Sequence, residues 1–205
     1  MPQTTLAARL AVYGLSEKKV SLSDLRLERN EVRYLSGVDV NLSKQVVRLK
    51  PKTIHDLKSW IGVPDEAISQ VASPSVQIVQ PRAKFSGNVK SVSNHPVFAA
   101  SAKYFVFRDS RSINSRLVPI LSKWIQEITP LIHMFLANDI HLSSGSQLVV
   151  TPDILLIFAR NITIEPNASI RVQGTEMKID CAKLVGVSPF INLASTMELS
   201  SIKIR

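Results

Sequence analysis

The chain holds few residues able to make or break bonds, and their spacing narrows them further. Four histidines, His55, His95, His133 and His141, form no His-Glu-x-x-His motif and no pair with a carboxylate at metal-ligand spacing. The single cysteine, Cys181, has no disulfide partner, and no neighbour in sequence supplies a base that would make it a nucleophile. It reads as a small buried hydrophobe. Asp139, Asp153, Glu165, Glu176 and Asp180 are carboxylates of the kind that cleave sugars when two lie about 5 to 9 Å apart, yet their spacing singles out no pair. Only seven glycines occur and none are clustered, so no phosphate-cradling loop is expected. These residues predict no catalytic group, no metal and no cofactor, and they weigh against an enzyme.

Binding chemistry is better supplied. Lys and Arg number 25 against 16 Asp and Glu, a formal charge of +9 that favours anionic partners. Arg26, Arg29 and Arg33 stand at helical spacing, and Arg48, Lys50 and Lys52 alternate as on a strand, but Glu28 and Glu31 interrupt the first group. Aromatic residues are 6% of the chain, too few stacking platforms to favour nucleic acid. His133, His141, Arg160 and Arg171 fall on the expected outer face of the second half. They are the candidate binding residues for an acidic glycan or another polyanion.

The elements that must position these residues are read from punctuation and period. At 205 residues, 45% apolar and 20% charged, the composition is that of an ordinary folded chain. Thr4 or Thr5 caps a short helix whose Leu6, Leu10 and Tyr13 share a face, with Gly14 as its stop. Helix and strand compete from Ser16 to Lys50, with a strand at Val46 to Leu49 closed by Pro51. Thr53 caps a helix over Ile54 to Ile61, Gly62 ends it, and Pro64 opens another through Val71. A strand is expected at Val76 to Val79. Lys103 to Arg108 reads as a doubly buried strand, and Ser115 to Ile128 as a helix with Leu117, Leu121, Trp124 and Ile128 on one face.

A repeat organises the remainder. Met134, Leu136, Ile140, Leu142, Leu148 and Val150 match Leu156, Phe158, Ile162, Ile164, Ile170 and Val172, each displaced by 22, and every pair is apolar. One extra residue near Gly174 would make the next displacement 23, taking Leu156 to Ile179, Phe158 to Cys181, Ile162 to Val185 and Ile170 to Leu193. Alternating segments separated by Ser143-Ser144-Gly145-Ser146 and Glu165-Pro166-Asn167-Ala168 are strands with turns between them. Such a period predicts parallel strands in which like residues stack. An inward column of Ile140, Ile162 and Val185 follows. The expected fold is mixed but mainly β: residues 1–75 a small α+β region, and residues 76–205 a short, parallel β-solenoid-like domain with a covering helix inserted at about 115–128. An antiparallel β-sandwich is the alternative.

The first strand of each unit is apolar on both faces, so a cover or a partner is required. Phe135, Leu155 and Ile157 on that wall, and Ile202 and Ile204 in an unfinished final unit, are the expected interface residues. The functional expectation is a structural or assembly protein forming a homo-oligomer, with carbohydrate or polyanion binding as the alternative and a carbohydrate-active enzyme last. The longest apolar run, Ile154 to Ala159, falls far short of the roughly 20 residues that span a bilayer. The first residues lack the pattern of a signal peptide, and the cytoplasm is the default compartment.

Overall fold

The computed structural model describes residues 5–37, 42–68, 96–128, 130–174, 177–186 and 191–193. The expected strand at 76–79, the end of the helix opened by Pro64, and Ile202 and Ile204 lie outside these residues. The chain is mixed α/β with mostly parallel strands in two sheets. It divides into two compact units, residues 1–49 with 132–205, and residues 50–131. That division differs from the boundary expected at 75/76, because strands before residue 50 pair with strands after residue 131.

The first unit carries the repeat. Helix α1 (Leu6–Ala11) begins where the Thr5 hydroxyl accepts the Ala8 N–H, and Gly14 follows it at φ 70°. The strands are β1 (Leu25–Leu27), β2 (Val32–Leu35), β3 (Val46–Leu49), β4 (Ile132–Leu142), β5 (Gln147–Val150), β6 (Ile154–Ile164), β7 (Ser169–Val172), β8 (Lys178–Gly186) and β9 (Ile191–Leu193). One sheet runs β1-β4-β6-β8, with β3 antiparallel to β4; the other runs β2-β5-β7-β9. All other pairs are parallel, which overturns the antiparallel sandwich.

The six residue pairs displaced by 22 are register partners, Met134 with Leu156 through Val150 with Val172. The displacement of 23 is corrected. From β6 to β8 it stays at 22, pairing Phe158 with Asp180 and Ile162 with Leu184, and from β7 to β9 it falls to 21, pairing Ile170 with Ile191. The connection between β7 and β8 is not the longer one; the apolar match of Ile179 and Cys181 one place along drew the count off by one.

Strict alternation through 134, 136, 140 and 142 is also corrected. Phe135 and Ala137, then Ile140 and Leu142, enter the core, so two consecutive residues, Asn138 and Asp139, lie outside it. The same break recurs at Arg160 and Asn161, and the strand changes face there as at a bulge. The core columns are therefore Ala137, Ala159 and Cys181, and Leu25, Ile140, Ile162 and Leu184. Val185 lies on the opposite face from Leu184. Phe135 and Ile157 sit inside the core at 0% exposure, and Leu155 is half-buried, which removes the first two from any outer interface.

Three turns repeat the same device. Glu31, Ser146 and Ala168 each donate an N–H to the carbonyl three residues earlier, and the third residue of each turn, Asn30, Gly145 or Asn167, is left-handed. The first of these, together with β1 and β2, lies in the stretch where helix and strand compete in the sequence, and the structure resolves it as strand. Three and four residues are too short to show a period, and Arg26, Arg29 and Arg33 mimicked a helical face that the extended strands do not form.

The second unit is helical in its described residues: α2 (Ile54–Ile61), α3 (Asp65–Ile68), α4 (Pro96–Phe107) and α5 (Leu117–Ile128). Thr53 and Asp56 form a capping box at α2. Lys103 to Arg108, expected as a strand, begins inside α4. Phe98, Ala102, Phe105 and Val106 are buried at helical spacing, and a window starting at Lys103 cuts that pattern off. The helix at 115–128 forms as α5, and its Leu121 and Ile125 enter a core with Ile54, Phe98 and Phe105. No described helix is long and apolar enough to cross a membrane.

Candidate functional site

The four candidate binding residues are not gathered into one place. His133 is half-buried where the β4–β6 register shifts, with Nδ1 3.8 Å from Asp153 Oδ2. His141 lies on the same strand with Nε2 2.9 Å from Glu165 Oε1. Arg160 is exposed on β6, whereas Arg171 is exposed on β7 in the other sheet.

Asp153 serves as a tie. Its Oδ2 accepts the Gly37 N–H at 2.7 Å, and Oδ1 accepts the Thr151 hydroxyl. Burial pushes this carboxyl up, but the Thr151 hydroxyl, the Gly37 and Asp153 N–H groups and the charge of His133 outweigh it and hold it below the usual carboxylate range. A Cβ on Gly37 would stand 2.5 Å from His133 Nδ1 and 2.7 Å from Asp153 Oδ2, so only glycine fits. This cluster joins the end of β2 to the turn before β6.

At Phe158 the doubly apolar wall is covered by α1 and the residues just after it. Met134, Leu136, Leu156 and Phe158 face away from the core and are still fully buried. Arg9 stacks over Phe158 at 4.4 Å, and Tyr13 meets the same ring edge-on. Arg9 Nη2 donates to the carbonyls of Ala159 and Asp180 at 2.9 and 2.8 Å and to Asp180 Oδ1 at 2.8 Å, and the Tyr13 hydroxyl donates to Asp180 Oδ2 at 2.7 Å. The sequence signals for this latch were an arginine in an otherwise apolar helix and an aspartate between Ile179 and Cys181. The expected covering role of the helix at 115–128 passes, at Phe158, to α1.

Beside this latch the break in the strands forms a concave strip. Asp139, Asn161 and Lys183 are register partners, and next to them run Arg26, His141, Thr163 and Val185. A cleft of about 320 Å³ follows these residues, and one of about 760 Å³ runs between α1 and Arg160; Asn161 and Lys183 line both. Cys181 is 1% exposed in the floor, and burial pushes its thiol up to about 11, so it is a protonated core residue at neutral pH. Among the described residues no group of three or more His, Cys, Asp or Glu is placed to hold a metal ion. What the strip offers is hydrogen bonding and charge.

Compared with protein-family models, curated proteins and solved structures, the chain matches none.

Proposed function

We propose that the two sheets are successive walls of a short parallel solenoid, and that the protein is a non-enzymatic assembly element pairing with a second copy through its β8 end. Support for the coil comes from the chain passing alternately between the sheets, through stacked turns, with matched apolar residues in columns. The observation that carries the assembly reading is the contrast between the ends of one column. Leu25, Ile140 and Ile162 are at most 2% exposed, while Leu184 is 39% exposed and Val185 on the opposite face is 44% exposed.

At the other end the core side is covered: Leu42 and Val46 pack against the core, and Arg33, in register with the core residue Leu148, is ion-paired with Glu31, while Val32 and Tyr34 on the outer face of β2 are 54% and 56% exposed. Among the described residues the core column is thus covered at its Leu25 end and uncovered at Leu184, and unlike ends of this kind favour a two-fold pair of the uncovered ones. The doubly apolar wall is not the contact, because α1 covers Phe158 and the core takes Phe135 and Ile157.

Light scattering on the purified protein should give the mass of a dimer. Leu184→Asp combined with Val185→Lys should give a monomer of unchanged circular dichroism. A wild-type chain that stays monomeric at high concentration overturns the reading.

A further inference from the structure

We infer that the concave strip at the break of the five-stranded sheet binds a carboxylated or sulfated polysaccharide. Paired and unpaired charge carries it, and its test is kept apart from assembly because Val185 lines both the strip and the proposed contact. The acids of the strip already accept hydrogen bonds from the chain, Asp139 from neutral amides and Glu165 and Asp180 from basic partners as well. Asp139 accepts Asn161 Nδ2 at 2.6 Å and Asn138 Nδ2 at 3.4 Å. Glu165 accepts the Ser144 N–H at 2.9 Å and pairs with His141, and Asp180 is taken by Arg9 and Tyr13.

The bases are less engaged. Arg160 and Lys183 have no side-chain partner among the described residues, and Arg26 reaches only Asp24, at 3.8 Å with its side chain 74% exposed. Among the described residues Glu17, at the rim of the larger cleft, and Asp139 are the lining acids without a basic partner, against the three cations Arg26, Arg160 and Lys183. An anion entering here gains charge-assisted hydrogen bonds without displacing a carboxylate.

Spacing chooses between a single ion and a chain. Arg26 is on β1, Arg160 on β6 and Lys183 on β8, so the outer two are separated by three strand spacings, about 14 Å. A small ion cannot span them, whereas a polymer with repeated anionic groups can. Thr163 and His141 lie between the cations and offer hydrogen bonds to sugar hydroxyls. Nucleic acid is disfavoured, because no Phe, Tyr or Trp among the described residues lines either cleft to stack a base, and His141 is held by Glu165.

The test is titration calorimetry of the full chain with a heparin oligosaccharide and with oligogalacturonate, against neutral dextran and single-stranded DNA. At least one acidic oligosaccharide should bind, and dextran should not. Arg26→Glu with Arg160→Glu should weaken that binding at least tenfold, whereas Arg171→Glu on the other sheet should change it less than twofold. Neither altered residue of the double variant is on β8, so its mass by light scattering should equal that of wild type. Absence of binding to both acidic oligosaccharides, equal losses for the two variants, or tighter binding of DNA would overturn the site.

Discussion

Asp180 faces outward in register with Phe158, where an aspartate replaces the apolar residue of the preceding strand. It is tolerable there only because Arg9 and Tyr13 saturate both carboxylate oxygens. Removing one partner leaves the other buried and uncompensated. Asp180→Ala should therefore destabilise the first unit by about 3–5 kcal/mol in chemical denaturation. Replacing both charges, Arg9→Met with Asp180→Leu, should cost far less, since apolar side chains suit a face that already holds Leu156 and Phe158. Equal losses in the two variants would mean that the ion pair does not hold the helix.

At the scale of elements, the strands are tied to their connections by a few polar groups, and Asp153 is the clearest of these. Its folded pKa lies below the 3.8 of a free aspartate side chain, so its contribution to stability is fully present above that value and is lost as pH falls through the folded pKa. Asp153→Asn should lower stability at pH 7 by about 1–2 kcal/mol, a figure reduced for the partial exposure of the carboxyl, and should flatten the loss of stability below about pH 4. An unchanged acid limb in urea titrations would show that other carboxylates govern it. Such ties explain what was legible in sequence. The displacement of 22 and the turns at Ser143 and Glu165 could be read because long strands repeat a pattern several times over. The strands at Leu25 and Val32 could not, since each pairs across more than a hundred residues and shows too few side chains to reveal a face. The break at Asn138 and Asp139 was hidden because apolar residues on both faces obscure parity. For the same reason the concave strip was only partly visible. Arg160 and His141 stood out by type, while Asn161, Thr163 and Lys183 acquire meaning only from the register that stacks them.

For the molecule as a whole, the decisive pairing is that of β3 with β4. Leu49 and Ile132 are antiparallel partners, so the chain leaves the first unit and returns to it at adjacent positions, about 5 Å apart between Cα atoms. Residues 50–131 are in effect a very long hairpin connection. They have their own core in Ile54, Phe98, Ala102, Phe105, Val106, Leu121 and Ile125, and their own ion pair between Lys58 and Asp65 at 2.9 Å, with Lys58 also donating to the carbonyls of Phe105 and Arg108. A connection whose ends meet in register can be exchanged for a tight turn without moving the strands that flank it. Joining Leu49 to Ile132 through Asn-Gly should leave a chain with β-rich circular dichroism and one cooperative urea transition. That transition should still be sensitive to Asp180→Ala, since the Arg9 latch lies wholly within the retained unit. Loss of cooperativity in the shortened chain would instead mean that the parallel strands draw their stability from residues 50–131, and that the columns from Leu25 to Leu184 do not make a self-sufficient core.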